Sequence, residues 1–494
     1  MLLVTVGHPV HAQPDGNDEH SPLLLVHYMP WYQARPFAPA WGWHWTMNVF
    51  NPDTFDAEGR REIASHYYPL VGPYDSRDPD VLEYHTLLMK VSGIDGVIVD
   101  WYGTSDLFDY PMLHEGTQQL FEAVRRAGLR FAIMYEDQTV GHLIDAGRLS
   151  SAEAIAHGQE QMRYVRDAWM SQPEYVTLEG RPVLLTFGPL YFRTSTDWAQ
   201  ILEGFEIDPL LFTLDNRLVP AAEGAFPWPP MWASVNGTLS LQRVHQYLNA
   251  FYSTAEAWPY FIAGAFPGFH DVYAEAGVGA SYGFLDANEG QTFSETLQRA
   301  LEAEAPVVQI VTWNDFGEGT NIEPTEEYGY RYLDQVQQTA DSLRELPFDA
   351  ADLDLPLQLY ISRKQYQQDA SVGAQLDEAA SAIVDGDADR ARDLLQTFTE
   401  TESDLPDASR AVLEVYPTPA SDVVTVVVNL PAPEPVRLEV FDIMGRSVAV
   451  LADGAVVAGR GAFVWSASHV PAGVYFVRLR TNASAVTVRT PVVH

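Results

Sequence analysis

Two carboxylates stand three residues apart in residues 313–319, which read WNDFGEG. Asp315 and Glu318 directly follow residues 306–312, an apolar and β-branched run that is typical of a buried parallel strand. In α/β barrels, catalytic acids follow such strands, and two carboxyl groups can divide the roles of general acid and general base. The alternative is that both acids cap a following helix, because acids favour helix N-termini.

A second cluster of chemistry-bearing residues lies near the start of the chain. Trp31 is followed by residues 41–45, which read WGWHW, so that four tryptophans fall within fifteen residues. In a loop these rings cannot all be core, which indicates a platform on which a ligand stacks. His44 is interpreted as a hydrogen-bonded orienter, since no second histidine stands at metal-ligand spacing. The sequence therefore predicts neither a metal site nor a cofactor.

Eight apolar runs of strand length would position these groups. Helical patterns separate most of them, which predicts an α/β fold of the (β/α)8 barrel type. The link FPWPP between the fifth and sixth runs cannot be an ordinary helix. The predicted strands are residues 23–28, 94–99, 130–134, 182–186, 210–214, 231–235, 260–265 and 306–312.

Polar or aromatic residues follow most of these runs directly. In a barrel those positions share one face, so residues scattered in sequence are expected to converge there. Any one of them could instead be structural; Asp100, for example, could pair with an arginine. Besides the pair Asp315 and Glu318, the predicted site contains Tyr28, Trp31, Tyr32, His44, Trp45, Asp100, Trp101, Tyr135, Glu136, Asn236, His270 and Asn314.

The chain continues well past the predicted barrel. Residues 355–398 have a helical pattern broken at Gly386, which predicts a helical hairpin. From residue 416 onward, short alternating strands with Gly and Pro turns predict a small β-sandwich. The predicted organisation is a signal remnant or disordered tail (1–21), the barrel (22–350), the hairpin or spacer (351–413) and the sandwich (414–494).

The composition of the chain limits the kinds of molecule that it can bind. The net charge is −38, with only Lys90 and Lys364 as lysines, and such a surface repels nucleic acid and anionic membranes. An acidic surface of this kind suits high salt, where screening removes self-repulsion. With no cysteine, disulfides and thiolate chemistry are excluded. Because no apolar run approaches ~18 residues, no membrane span is predicted.

The motifs together resemble the glycoside hydrolase family 99-like group, which includes endo-α-1,2-mannosidases and mannanases built on (β/α)8 barrels. The family 71-like α-1,3-glucanases look like a neighbouring group. The family's last motif carries two glutamates three residues apart, whereas the first of them is Asp315 here. The matching segments are residues 27–32 (HYMPWY), 43–45 (WHW), 68–69 (YP), 72–79 (GPYDSRDP), 93–97 (GIDGV), 100–103 (DWYG) and 313–324 (WNDFGEGTNIEP).

The resemblance implies cleavage of an α-linked polysaccharide with retention through a 1,2-anhydro sugar. Glu318 would then be the general acid and Asp315 the base that deprotonates the 2-hydroxyl. Asp100 and Glu136 are the alternative candidates for these roles. Trp31, Trp45, Trp101 and Tyr135 would contact sugar rings, and Asn314 and His270 would orient hydroxyls. The competing hypothesis is a barrel that binds a glycan without cutting it.

A separate resemblance covers the C-terminal region. Residues 416–420 (YPTPA), 440–446 (VFDIMGR) and 471–476 (PAGVYF) are similar to the C-terminal sorting domain of type IX secretion cargo. That resemblance implies recognition by the type IX secretion machinery, export through the periplasm, and a final location at the cell surface or outside the cell.

Overall fold

The computed structural model describes residues 21–56, 60–366, 369–399, 412–416, 423–481 and 485–492. The predicted signal remnant, apart from Ser21, lies outside these described residues.

A parallel sheet curls into a nearly closed barrel, which confirms the predicted fold class. Its hydrogen-bonded neighbours follow the order β7-β6-β5-β3-β2-β1-β11-β8, while β4 pairs antiparallel with β5 and β9 pairs antiparallel with β10. The strands are β1 (Leu23–Tyr28), β2 (Gly96–Trp101), β3 (Arg130–Tyr135), β4 (Thr177–Leu178), β5 (Arg181–Thr186), β6 (Leu210–Leu214), β7 (Gly224–Phe226), β8 (Ile262–Ala265), β9 (Phe269–His270), β10 (Phe284–Leu285) and β11 (Val307–Ile310).

One strand prediction is wrong. Residues 231–235 begin with a 3₁₀ turn, Met231–Ala233, and the barrel strand at this place is β7, seven residues earlier. Two prolines directly before Met231 lack the N–H groups that a central strand must donate. Gly224 suits the position because a Cβ there would lie only 2.1 Å from the carbonyl oxygen of Tyr260, where β7 approaches the chain leading into β8.

Helices pack on the outside of the barrel. The first long one, α2, begins at Pro79 after Asp78, whose carboxylate accepts a hydrogen bond from the N–H of Asp80. A π-helical turn, Arg166–Met170, extends α5. The barrel helices are α1 (Trp43–Thr46), α2 (Pro79–Val91), α3 (Tyr110–Arg126), α4 (Gln138–Asp145), α5 (Ala154–Val165), α6 (Ser195–Ile201), α7 (Leu241–Ala255), α8 (Gln291–Glu302) and α9 (Arg331–Leu343).

Strand alternation divides the core in two. Leu25, Ile98 and Met134 belong to the cluster inside the barrel, while their sequence neighbours pack against the helices. Because successive side chains of a strand point to opposite faces, His27 and Asp100 also face inward. The opening of the barrel at the carboxyl ends of its strands is called the pit below. The alternation decides which predicted site residues face it.

Beyond the barrel, α11 (Ala370–Val384) and α12 (Ala388–Thr399) form a hairpin around Gly386, preceded by α10 (Leu355–Gln365). A small antiparallel β-domain follows, as predicted. A cavity of about 440 Å³ lies between this domain and the barrel, and the guanidinium of Arg446 stands 5.0 Å from the ring centre of Phe55 there. The strands are β12 (Val412–Tyr416), β13 (Val423–Asp442), β14 (Ser447–Ser466), β15 (Gly473–Arg480) and β16 (Ala485–Val492).

Candidate active site

The segment after β11 forms a tight turn that carries two carboxylates. Thr312 Oγ1 accepts a hydrogen bond from the N–H of Asp315 at 2.8 Å, and Asp315 Oδ1 accepts one from the N–H of Glu318 at 2.9 Å. The next helix of the described chain, α9, begins only at Arg331. The helix-capping interpretation is therefore wrong for this pair, because Asp315 caps a turn that does not continue as a helix.

Four acidic side chains act on one another at this end of the barrel. Asp100 is the last but one residue of β2, Glu136 follows β3, and Asp315 and Glu318 follow β11. The side chains of Asp100 and Glu136 lie close enough for each to change the pKa of the other. Asp315 raises the pKa of both Asp100 and Glu318 through its charge, in addition to the larger effect of burial. The structure thus brings together four of the predicted acids.

The two acids of the turn have different electrostatic surroundings. Burial raises the pKa of Asp315 to about 6, while backbone N–H groups of Gly317 and Glu318 oppose the rise by stabilising the carboxylate. Burial, and next the charge of Asp315, raise the pKa of Glu318 well above its usual range. The backbone donors therefore favour the charged form of Asp315, while burial beside that charge favours the protonated form of Glu318, which is the division that acid–base catalysis needs.

The aromatic loop after β1 lines one side of the turn. The rings of Trp31 and His44 stack with centroids 4.3 Å apart, and His44 Nε2 lies 3.5 Å from Asp109 Oδ2. Burial lowers the pKa of His44, so its ring is neutral at neutral pH. The role of His44 as an orienter stays a prediction.

Tyr32 and Asn314 hold the turn. The hydroxyl of Tyr32 donates to the carbonyl of Asn314 at 2.9 Å and accepts from the N–H of Phe316 at 3.0 Å. The Asn314 side chain accepts from the N–H of Met29 at 2.8 Å and donates to the Met29 carbonyl and the Tyr74 hydroxyl, each at 3.0 Å. Because these protein partners occupy its amide, Asn314 does not orient a sugar hydroxyl, contrary to the prediction.

Three aromatic predictions fail because of strand alternation. Tyr28 is directed at α2, where its hydroxyl lies 3.0 Å from His85 Nδ1. Trp101 is completely buried, and its indole N–H donates to His114 of α3 at 3.1 Å. Tyr135 pairs in register with Trp101 on the same outward face. Each of these three residues is next in sequence to a residue whose side chain points into the barrel. Its own side chain therefore points outward, into the layer between the barrel and the helices.

Trp45 and Asn236 also lie apart from the pit. Trp45 is fully buried against Tyr32, and its indole N–H donates to the carbonyl of Tyr74 at 2.7 Å. Asn236 lies on an exposed turn with φ of 52°. His270 stays close to the turn, since its N–H donates to the Glu318 carbonyl at 2.8 Å, but its ring stacks on His66 at 3.6 Å.

Sequence reasoning missed Tyr273 and Asp271. The hydroxyl of Tyr273 donates to Glu318 Oε1 at 3.3 Å, and the charge of Asp271 contributes to the raised pKa of Glu318. Asp271 directly follows His270 after the seventh predicted strand, so its position beyond that strand was a usable signal. Tyr273 carried no signal of its own, because only the path of the loop brings it back to the turn.

A buried polar layer below the pit was also missed. His27 Nε2 lies 2.8 Å from Gln309 Oε1, and the Gln309 amide donates to the carbonyl of Pro227 at 2.7 Å. Burial lowers the pKa of His27 to about 4, so this histidine is neutral at ordinary pH. Over the residues that the structure describes, no group of three or more acidic or histidine side chains is arranged to hold a metal ion.

Comparison with known proteins agrees with this geometry. A glycoprotein endo-alpha-1,2-mannosidase-like protein of Danio rerio is 24% identical over 308 residues, which cover 58% of this chain and 66% of the relative. Glycoprotein endo-alpha-1,2-mannosidase of Xenopus laevis is 22% identical over 358 residues, or 65% of this chain and 75% of the relative. The solved GH99 endo-alpha-mannosidase of Bacteroides thetaiotaomicron superposes with a TM-score of 0.50 at 18% identity, covering 65% of this chain and 97% of that one. The barrel is thus similar in sequence and in fold to endo-α-mannosidases of glycoside hydrolase family 99.

The family 99-like barrel spans about two thirds of the first curated relatives, since their matches cover 66% and 64% of the relatives' lengths. Residues 414–493 match the model of the secretion system C-terminal sorting domain. The chain therefore carries a type IX export address for the cell surface or the exterior. Within the described part of the chain, each helix is too short or too polar to cross a bilayer.

Proposed function

We propose that the family 99-like barrel is an exported glycoside hydrolase that cleaves α-linked polysaccharide internally, with α-mannan-type chains as the favoured substrate. The observation that carries the proposal is the placing of two buried carboxyl groups, Asp315 and Glu318, on one turn at the end of the barrel, where the N–H of Glu318 donates to Asp315 Oδ1 at 2.9 Å. The curated relatives named endo-alpha-1,2-mannosidases support the substrate class.

In the proposed reaction, Asp315 accepts the proton of the sugar's 2-hydroxyl while that oxygen forms a bond to the anomeric carbon. The bond from the anomeric carbon to the departing oxygen breaks, and Glu318 donates its proton to that oxygen. In the second step Glu318 removes a proton from water and the water oxygen bonds to the anomeric carbon. The bond between that carbon and the 2-oxygen breaks, and the 2-oxygen recovers its proton from Asp315. The anomeric configuration is retained, since the carbon is attacked twice.

Asp100 and Glu136 support this chemistry without taking part in the proton transfers. Burial raises the pKa of each well above its usual range. The charge of Asp315 adds to the rise for Asp100, and the charge of Asp100 adds to the rise for Glu136. As uncharged carboxyl groups they can donate hydrogen bonds to sugar hydroxyls. Asp315 therefore keeps the negative charge at the site.

The C-terminal domain is proposed to engage the type IX secretion machinery, and the substrate is proposed to be an extracellular glycan. An acidic chain with net charge −38 favours neutral polysaccharides over anionic ones.

Replacement of the general acid tests the assignment. We expect Glu318→Gln to lower kcat by ~10²–10⁴-fold, because the departing oxygen would leave unprotonated. Activity is measured as reducing sugar released from a panel of α-mannans and α-glucans. Glu326→Gln is the matched control, because Glu326 lies on the same segment but lines the cavity beside the sorting domain.

The outcomes separate the competing functions. Full activity of Glu318→Gln would contradict the assignment of the acid. Cleavage of α-1,3-glucan in place of α-mannan would indicate the activity of the neighbouring family 71-like group. A wild-type protein that is retarded in glycan-containing native gels but releases no reducing sugar would be a glycan-binding barrel.

A further inference from the structure

Two large aromatic side chains stand exposed at the rim of the pit. Trp232 is 74% exposed and Tyr282 is 60% exposed. Trp232 lies on the loop after β7, and Tyr282 lies on the loop that joins β9 to β10 after β8. Both loops leave the carboxyl end of the barrel, where the four acids converge. Neither ring has a role in the proposed proton transfers.

Tyr282 is connected to the proposed general acid through one side chain. Its ring meets that of Tyr273 edge to face, with centroids 5.6 Å apart and an interplanar angle of 84°. The hydroxyl of Tyr273 donates to Glu318 Oε1 at 3.3 Å. The exposed ring therefore lies on the Glu318 side of the turn, where the departing part of the substrate would be.

Asp271 fixes the loop that presents Tyr282. Its Oδ2 accepts hydrogen bonds from the hydroxyl of Ser281 at 3.0 Å and from the N–H of Tyr282 at 2.8 Å. Its Oδ1 accepts from the N–H of Tyr273 at 3.1 Å. One buried carboxylate thus holds both ends of the loop, so the ring of Tyr282 is presented with little loss of conformational entropy on binding.

The loop that bears Trp232 is joined to the same wall. The hydroxyl of Ser234 donates to the carbonyl of Tyr282 at 3.4 Å, and the N–H of Phe284 donates to the carbonyl of Gly237 at 2.9 Å. The ring of Trp232 rests against Tyr247, edge to face, with centroids 6.1 Å apart. Trp232 and Tyr282 therefore belong to one continuous rim.

We propose that Trp232 and Tyr282 form an outer rim that binds sugar units of the glycan chain beyond the bond that is cleaved, on the side of Glu318. This inference rests on the proposed function and adds to it a site for long, neutral polysaccharide chains. Aromatic faces offer apolar contact to the C–H faces of pyranose rings, and the acidic surface disfavours anionic chains. The rim contributes to the binding of polymers and little to that of short fragments.

The test uses the full chain and two readouts. The variants are Trp232→Ala and Tyr282→Ala, with Ile207→Ala as control, because Ile207 is 56% exposed on the loop before β6, at the opposite end of the barrel. Native-gel retardation by α-mannan, α-1,3-glucan and dextran measures binding without requiring catalysis. Release of reducing ends from the polymer and from short oligosaccharides measures catalysis.

We expect each rim variant to weaken binding of the polymer about five- to tenfold, which is the size of one stacking contact, with the Ile207 control unchanged. For a cleaved polymer, KM should rise while kcat and the rate on short oligosaccharides stay near the wild-type values. The rim proposal would be wrong if both rim variants are retarded as strongly as the wild type. It would also be wrong if no polymer retards the wild type. The rim variants could lose retardation while neither they nor the wild type release reducing sugar. That result would support the rim proposal and contradict the proposed hydrolase activity.

Discussion

At the scale of single residues, the site depends on the different surroundings that one turn gives to two similar carboxyl groups. Asp315 is stabilised as an anion by backbone N–H groups, whereas Glu318 receives a hydrogen bond from the hydroxyl of Tyr273 and lies beside the charge of Asp315. The aspartate is one methylene shorter than the glutamate of the family motif. Its hydrogen bond from the Glu318 N–H holds the carboxylate at a defined place in the turn.

The same two groups predict the pH dependence of the reaction. Asp315 must be ionised, so kcat/KM should fall as the pH drops through about 6, its raised pKa. Glu318 must be protonated, and since its pKa is raised well above the usual range, activity should persist at neutral pH and fall only on the alkaline side.

This pH profile is measured on the polymer that the wild type cleaves. Tyr273→Phe provides a test of the alkaline limb: the hydroxyl that stabilises the Glu318 carboxylate is lost, so this limb should move to higher pH. An acid limb near the ordinary pKa of an aspartate, about 4, would contradict the assignment of Asp315 as base.

At the scale of elements, the parallel strands set both the closure of the barrel and the direction of each side chain. Close strand contacts require glycine at particular positions. A Cβ at Gly96 would lie 2.2 Å from the carbonyl oxygen of Arg130, across the pairing of β2 with β3. A backbone atom in a central sheet cannot move aside cheaply, so this glycine is needed for packing.

We therefore expect Gly96→Ala to lower the free energy of unfolding by ~1–3 kcal/mol or more, as overpacked core positions do. Gly373→Ala in α11 is the matched control, because a Cβ there meets nothing within 4 Å. Removing a helix glycine should stabilise the protein by ~0.5–1 kcal/mol. Urea unfolding followed by circular dichroism measures both. Equal midpoints for the two variants would contradict the close contact at Gly96.

At the scale of the whole molecule, the main physical feature is the excess of negative charge. The chain carries 67 acidic residues against 29 lysines and arginines, a net charge of −38. Repulsion among these charges destabilises the folded state, and dissolved salt screens it because the Debye length shrinks to ~3 Å at molar ionic strength. An exported protein meets the ionic strength of its surroundings directly.

We expect the melting temperature to rise between low and molar sodium chloride at neutral pH. Differential scanning fluorimetry at a series of salt concentrations measures the effect. As a control, the rise should shrink when the pH approaches 5, where many carboxylates begin to lose their charge. A melting temperature that is independent of salt at pH 7 would show that the charge excess does not limit stability.

By itself, the sequence determined the features that depend on local pattern. Apolar runs located seven of the eight barrel strands, the order of strand and helix predicted the barrel, and the turn after the last run supplied Asp315 and Glu318. The sixth strand failed because β7 is only three residues long, too short for its pattern to show. The site and domain assignments remain predictions that the experiments above address.

Only the tertiary structure decided which neighbouring residue faces the pit. Asp100 points inward and Trp101 outward, a distinction that needs the register of the sheet as well as the composition of the strand. Tyr273 reaches Glu318 across 45 residues of chain, through a loop whose path no local pattern specifies. The raised pKa of Glu318 has the same origin, because burial and neighbouring charge arise only when distant segments are folded together.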